Sequence, residues 1–251
     1  MTECVKPQWR FTTDSMAMTR DNPNLKQVIN ERLTRPPSLV AMVTDRLRRS
    51  IIDGEYRLGE SVSEDKLASA FGVSRTPVRE ALTALQLQGL INIQPQRGSF
   101  VFLPSEEEVH ALCEFRMIME GRAMALSLAR NKDRTLAQLR EANTLMEDAI
   151  ARNDPLALTH GDTDLHNALF DNCGNQYLAQ AYALMSGRIA TLRTHLSSQQ
   201  QTVGRNSIEE HRDILEAFSA GDLGRAENLL SVHIFRMRER YTQALAAKTL
   251  P

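Results

Sequence analysis

Cysteine is scarce in this chain: three residues, at positions 4, 113 and 173, odd in number, far apart and without a CxxC pair. That excludes a disulfide framework and a cysteine-rich zinc site, and leaves buried or surface thiols. Long apolar runs are also missing. None approaches the roughly 18 residues of a membrane span, and the first thirty residues lack the basic-then-apolar order of a secretory leader. The expectation is a cytoplasmic protein that does not enter a membrane. Nor is there an excess of one charge, with 30 Lys/Arg against 31 Asp/Glu. By segment the counts are six and four over residues 1–36, eight and seven over 37–103, and sixteen and twenty over 104–251. The lean towards positive charge near the N-terminus is too small to name a partner. What is present, 42% apolar and 24% charged residues over 251 positions, is the composition of a globular protein with room for two domains.

Residues 1–36 show no sustained period and end in RPPS, which reads as an N-terminal arm, with a short helix at NLKQVINERL. From Ser38 the pattern tightens. SLVAMVTDRLRRSIIDG carries Val40, Val43, Leu47 and Ile51 at helical spacing and stops at Gly54. SEDKLASAFG starts at a Ser63 N-cap and ends at Gly72; Ser74 then caps RTPVREALTALQLQG, which ends at Gly89. Two short helices across a Gly-containing turn form a helix-turn-helix. LINIQPQRGSFVF follows, alternating apolar and polar residues around a Pro and Gly turn, the signal of a hairpin. A helix-turn-helix followed by a hairpin is a winged helix, placed over residues 37–103.

Beyond residue 104 the period is helical throughout. Ser105 with Glu108 forms a capping box, and Asp154-Pro155 is a cap with proline in the first turn. Residues 104–251 are therefore predicted to be an all-α antiparallel bundle, and the whole chain mainly α.

In the third helix Val78, Ala81, Leu82 and Leu85 share one face, while Arg75, Arg79 and Gln86 leave from another. Arginine pairs bidentately with guanine O6 and N7, and the N-terminal residues of a recognition helix reach base edges. Arg75, Thr76 and Arg79 stand there. Ser74 and the helix N-terminus can hold a phosphate, and Arg97-Gly98 in the wing suits close approach to a backbone or minor groove. The expected partner is double-stranded DNA.

HGDTDLHNALF places Asp162 and His166 four residues apart on one helical face. His211 and His233 flank a turn near residue 221 or 222 at ten to eleven residues on either side. At about 1.5 Å per residue both lie roughly 15 Å from that turn, level with one another. A third helix could bring Asp162 and His166 to the same layer. An Asp-His-His-His set would take a divalent transition metal, zinc foremost, with nickel, manganese or iron as alternatives, and leave positions open.

Two stretches resemble known families. SEDKLASAFGVSRTPVREALTALQLQGLINIQPQRGSFV is similar to the winged helix of GntR transcription regulators, with SRTPVREAL its most specific part. That resemblance implies DNA contacts from Arg75, Thr76 and Arg79, with Gly98 at the wing tip. Asp65 departs from it, standing where some members carry a basic DNA-contacting residue, so no base contact from the second helix is expected. EFRMIME, DTDLHNALFDNCGNQYL and EEHRDILEAFSAGDLGRAENLLSVHI together resemble the FCD ligand-binding domain of the FadR subgroup. The resemblance implies a metal held by Asp162, His166, His211 and His233, and an effector contact from Arg116. Arg116 can otherwise pair with Glu120 one turn on. Arg188, in a late helix with no motif behind it, is a second candidate for the effector.

Three function classes compete for such a chain. A metal-dependent enzyme would need a general base, and no HExxH or equivalent supplies one. A metal-ion sensor would use the same four ligands, but ligands that close around an interior cavity favour a permanently held ion and an organic effector. The expectation is thus a non-enzymatic regulator: a homodimeric repressor on a pseudo-palindromic operator, released by a small organic acid bound at the metal and Arg116.

Overall fold

The computed structural model describes residues 37–197, 201–247, 249 and 250. The expected arm and its short helix fall outside the described residues. At Ser38 the hydroxyl accepts the Ala41 N–H at 3.1 Å and starts α1 (Leu39–Ile52), whose buried face is Val43, Thr44, Leu47, Ser50 and Ile51. Ser63 accepts the Lys66 N–H and starts α2 (Glu64–Phe71), which stops where Gly72 turns left-handed at φ +64°. α3 (Arg75–Leu87) follows two residues later, with Val78, Ala81, Leu82 and Leu85 at 0–1% exposure. Those four side chains meet Leu47 and Ile51 of α1 in the core of the N-terminal domain.

The wing is the hairpin of β2 (Ile91–Gln94) and β3 (Gly98–Val101), in register Ile91 to Val101 and Gln94 to Gly98. A two-residue strand, β1 (Ser61–Val62), adds to β3 and gives an antiparallel sheet of order β1-β3-β2. At the tip, Gln96 takes a positive φ of 63° and Gly98 one of 110°.

The rest of the described chain is helical: α4 (Glu106–Ala151), α5 (Pro155–Asn172), α6 (Gln176–Ser197), α7 (Gln201–Ala220) and α8 (Leu223–Ala246). The Ser105–Glu108 capping box forms with both of its hydrogen bonds, and Asp154 caps α5 with Pro155 at its first position. α4 is not one rod. Asn131 leaves helical geometry at φ −144°, and its side chain donates to the Asn172 carbonyl at 2.8 Å. Arg130 donates to the carbonyls of Cys173 and Gly174, both at 2.9 Å. The break in α4 therefore satisfies orphan carbonyls at the end of α5, where no intrahelical donor remains.

α5 lies against the second half of α4 at close range because Gly161 faces it. A methyl there would sit 2.7 Å from Met146 Cγ and 3.3 Å from the Ala142 carbonyl oxygen. The next residue is Asp162, so this seam sets where the carboxylate stands. No described helix is long and apolar enough to cross a membrane.

Candidate metal centre and nucleic-acid interface

On the N-terminal domain, Ser74, Arg75, Thr76, Arg79, Arg97 and Gly98 are all exposed. Ser74 occupies the N-cap position of α3, but its side chain makes no capping hydrogen bond. The reason is local: the third residue of the helix is Pro77, which has no N–H to give. The hydroxyl and the free backbone N–H groups of the first turn remain available to an outside acceptor such as a phosphate. Arg75 and Arg79 are both engaged. Asp65 Oδ1 lies 2.6 Å from Arg75 Nε, and Glu64 accepts from Nε and Nη2 of Arg79, at 3.2 and 2.9 Å for its Oε2.

In the bundle, one ligand atom from each of Asp162, His166, His211 and His233 falls within 4.8 Å of the others. α5 supplies the first two from successive turns of one face, and the α7–α8 hairpin brings the other two level. His233 Nε2 stands 3.2 Å from His166 Nε2 and 3.3 Å from His211 Nε2. Carboxylates fix two of the rings from behind: Glu120 Oε2 lies 2.5 Å from His166 Nδ1, and Glu210 Oε2 lies 2.8 Å from His233 Nδ1. A carboxylate can only accept, so Nδ1 carries the proton and Nε2 turns its lone pair to the centre. Converging lone pairs repel unless a proton or a cation lies between them. Burial, then the nearby Arg193, push His166 down to about 4. Burial and His233 likewise hold His211 well below the usual histidine range. A cation thus fits where protons are disfavoured.

The acids balance this. Burial alone would raise the Asp162 carboxyl, but Arg193, with Nε 2.6 Å from Oδ2, and then the histidines hold it well below the carboxylate range. That leaves Oδ1, 3.4 Å from His211 Nε2, on the ligand side. Glu120 is likewise pulled low against its burial by Arg116 and His166. The Arg116–Glu120 pair read from spacing does form, at 2.7 Å, but both side chains are buried, at 1% and 0% exposure. Arg116 Nη2 also reaches within 3.4 Å of the His166 ring. A small cavity of about 30 Å³ adjoins the cluster, lined by Arg116, Asp162, Arg193, Met237 and Arg240 among others.

In chelator-treated protein the buried histidines make stability depend on pH. His166 takes its proton at about 4 when folded and near 6.5 when unfolded, so the unfolded state binds more protons between those values. Stability from this group is complete above about pH 6.5 and is lost as pH falls towards 4, by a few kcal/mol. Urea unfolding at a series of pH values should show that decline; a flat profile would mean that the ring takes up its proton as readily in the fold as in the unfolded chain.

Arg188 is not part of this constellation. Its guanidinium lies over the Phe102 ring, 5.2 Å from the centroid, and its Cδ packs where a Gly89 side chain would be. Arg193, five residues on, is the arginine of α6 that reaches the cluster. Five helical steps turn about 140°, which puts the two on different faces. Spacing alone also missed Glu120 and Glu210 as the groups that orient His166 and His233.

Around these two arginines, over residues 187–195, α6 also packs on the winged helix. Gly187 and Arg188 pack on Leu90 and Gly89 just after α3, Thr194 on Gly54 just after α1, and His195 Nε2 lies 3.1 Å from the Tyr56 carbonyl. On α5, two residues before Asp162, His160 pairs with Asp53 at 2.8 Å.

Comparison with known proteins places both parts. The family described as "Bacterial regulatory proteins, gntR family" matches residues 39–101, and the FCD domain matches 111–236. A "Probable D-xylose utilization operon transcriptional repressor" of Paenarthrobacter nicotinovorans is 28% identical over 82% of this chain and 89% of its own length. A gluconate operon transcriptional repressor of Bacillus licheniformis is 25% identical over 72% of this chain and 75% of its own. A solved GntR-type regulator from Rhodococcus sp. RHA1 superposes with a TM-score of 0.73 at 24% identity, covering 83% of this chain and 99% of that one.

Proposed function

This chain belongs to the GntR family of bacterial transcription regulators, with an FCD domain behind its winged helix, and from that premise we propose that it is a ligand-released repressor. It is a DNA-binding regulator and not an enzyme. The proposal concerns what controls it: a divalent metal held by Asp162, His166, His211 and His233, and a small carboxylate that binds beside it. One observation carries this reading, the convergence of three imidazole Nε2 atoms and one carboxylate oxygen on a point flanked by buried Arg116 and Arg193. The metal supplies a positive centre with open positions, for which an anionic oxygen is the natural further ligand. Repression is supported by the relatives, two of which are named as repressors of a D-xylose and a gluconate operon, and a sugar acid as effector class draws support from the second alone, since gluconate carries a carboxylate and D-xylose does not.

The cavity of about 30 Å³ holds about one water. An acid of several carbons would have to displace Met237 or Arg240. Its carboxylate would compete with Asp162 for Arg193, and α6 carries that change to the winged helix through Thr194, His195 and Arg188. Such an effector alters DNA affinity only through its different affinity for two placements of the heads, typically about 5- to 150-fold. Two chains related by a two-fold axis would place two recognition helices on a pseudo-palindromic operator.

The test is thermal denaturation of metal-loaded and chelator-stripped protein against sugar acids, hydroxy acids and dicarboxylates. A ligand at 100 times its Kd adds about 2.7 kcal/mol to the folded state. Stabilisation by an acid only in the metal-loaded form is expected. Stabilisation by metal with no response to any acid would instead favour a metal sensor or a structural ion. On the DNA side, Arg79→Ala should weaken operator binding about 5- to 150-fold while metal content stays unchanged. Undiminished affinity would remove Arg79 from the interface.

A further inference from the structure

The two arginines of the recognition helix are held by two consecutive acids of the helix before it. Glu64 and Asp65 open α2, and they reach Arg79 and Arg75, which stand one turn apart on α3. Glu64 accepts from Nε and Nη2 of Arg79, side-on, while Asp65 forms an ion pair beside Nε of Arg75. Neither contact occupies the terminal edge between Nη1 and Nη2, the terminal fork. That fork is the edge that pairs bidentately with guanine O6 and N7.

We propose that Glu64 and Asp65 are specificity-determining positioning residues, Glu64 bracing Arg79 side-on and Asp65 holding Arg75 by an ion pair at Nε, so that each arginine presents its terminal fork to a guanine. The inference rests on α3 being the helix that reads bases. Stability does not account for the pairs, because Arg75 and Arg79 are about two-thirds exposed and solvated ion pairs contribute little. Affinity does not account for them either. The first helix of a helix-turn-helix crosses the DNA backbone, and two carboxylates there repel phosphates and cancel the charge of the two arginines. A loose arginine would reach phosphates and any acceptor within its radius. One held by Nε loses that freedom and keeps a single direction of pairing, so general attraction is exchanged for discrimination. The competing role is at the helix end: acids in the first turn of α2 also favour its N-terminal dipole.

Selection from a library of randomised duplexes separates these roles, using the full-length chain and its Glu64→Ala, Asp65→Ala, Glu64→Asp, Arg75→Ala and Arg79→Ala variants. The unaltered chain should enrich a guanine at two positions of each half-site. Arg79→Ala and Glu64→Ala should relax the same position; Arg75→Ala and Asp65→Ala should relax the other. The preference for guanine should fall about tenfold in the acid variants, the discrimination expected of one bidentate pair. Their affinity for mixed-sequence duplex should meanwhile rise. Glu64→Asp keeps the charge at the helix end but shortens the reach, so it should relax the Arg79 position as well. If the acid variants keep full guanine preference while the arginine variants lose it, the acids serve only the helix end and the proposal fails. If the arginine variants also keep it, or no guanine is enriched at all, it is the reading of α3 as the base-contacting helix that has failed, and the proposal with it.

Discussion

Arg116→Ala should lower the free energy of unfolding by about 3–5 kcal/mol, one of the largest single effects expected in this protein. The guanidinium is buried against Glu120, which is itself fully buried and shared between Arg116, His166 and Tyr182. Removing the cation leaves a carboxylate in a site too dry to hold it alone, so Glu120 must either take up a proton or draw in water. The double variant Arg116→Ala, Glu120→Ala should be less destabilised than the sum of its parts, because no unpaired charge is left behind. Urea unfolding of the metal-free forms measures both. A loss below about 1 kcal/mol, the range of exposed pairs, would show that the surroundings of Glu120 satisfy it without the arginine.

The second large effect belongs to His211. His211→Ala removes one of three imidazoles from the cluster and should lower metal affinity by more than 100-fold, beyond the 10- to 100-fold range typical of outer partners that only orient a ligand. Glu210→Gln, which alters the partner of His233 Nδ1 and leaves all four ligands in place, should fall within that range. Metal content after dialysis against a weak chelator reads both. Unchanged content in His211→Ala would take this residue out of the centre; equal losses in the two variants would mean that ring orientation, not ligand number, limits binding.

Much of this was legible in the sequence, and the reasons are local. Caps are decided by a few neighbouring residues, so Ser63, Ser105 with Glu108, and Asp154-Pro155 announce helix starts without any knowledge of the fold. The apolar stripe of α3 emerges from period alone. The two late histidines become neighbours because equal arms on either side of one turn end at equal height, which is arithmetic on the chain. β1 escapes notice because two residues have no period, and its pairing with β3 crosses the whole helix-turn-helix. The Asn131 break lies in RNKDRT (130–135), a polar stretch that only pauses the apolar period without naming a bend, and the carbonyls that require it belong to another helix.

Three groups at the centre were invisible for a different reason. Glu120, Glu210 and Arg193 lie on helices with many charged residues, and nothing along the chain distinguishes these from their exposed neighbours. Glu120 could be paired with Arg116 by its four-residue spacing, but spacing does not say that the pair is buried or that a histidine shares it. Arg188 stands away from the cluster for a reason of phase: location in a late helix does not fix which face of that helix meets the ligands.

Gly161 ties the metal ligands to the architecture. The residue beside Asp162 has no room for a single methyl against Met146 and Ala142, so the seam between the two helices doubles as the spacer that sets ligand depth. Pocket and scaffold share one tolerance. A lineage, or an engineer, seeking a larger effector cannot widen that seam without retracting the carboxylate. Change has to come through Met237 and Arg240, which line the cavity from the last helix, about one and two turns beyond His233.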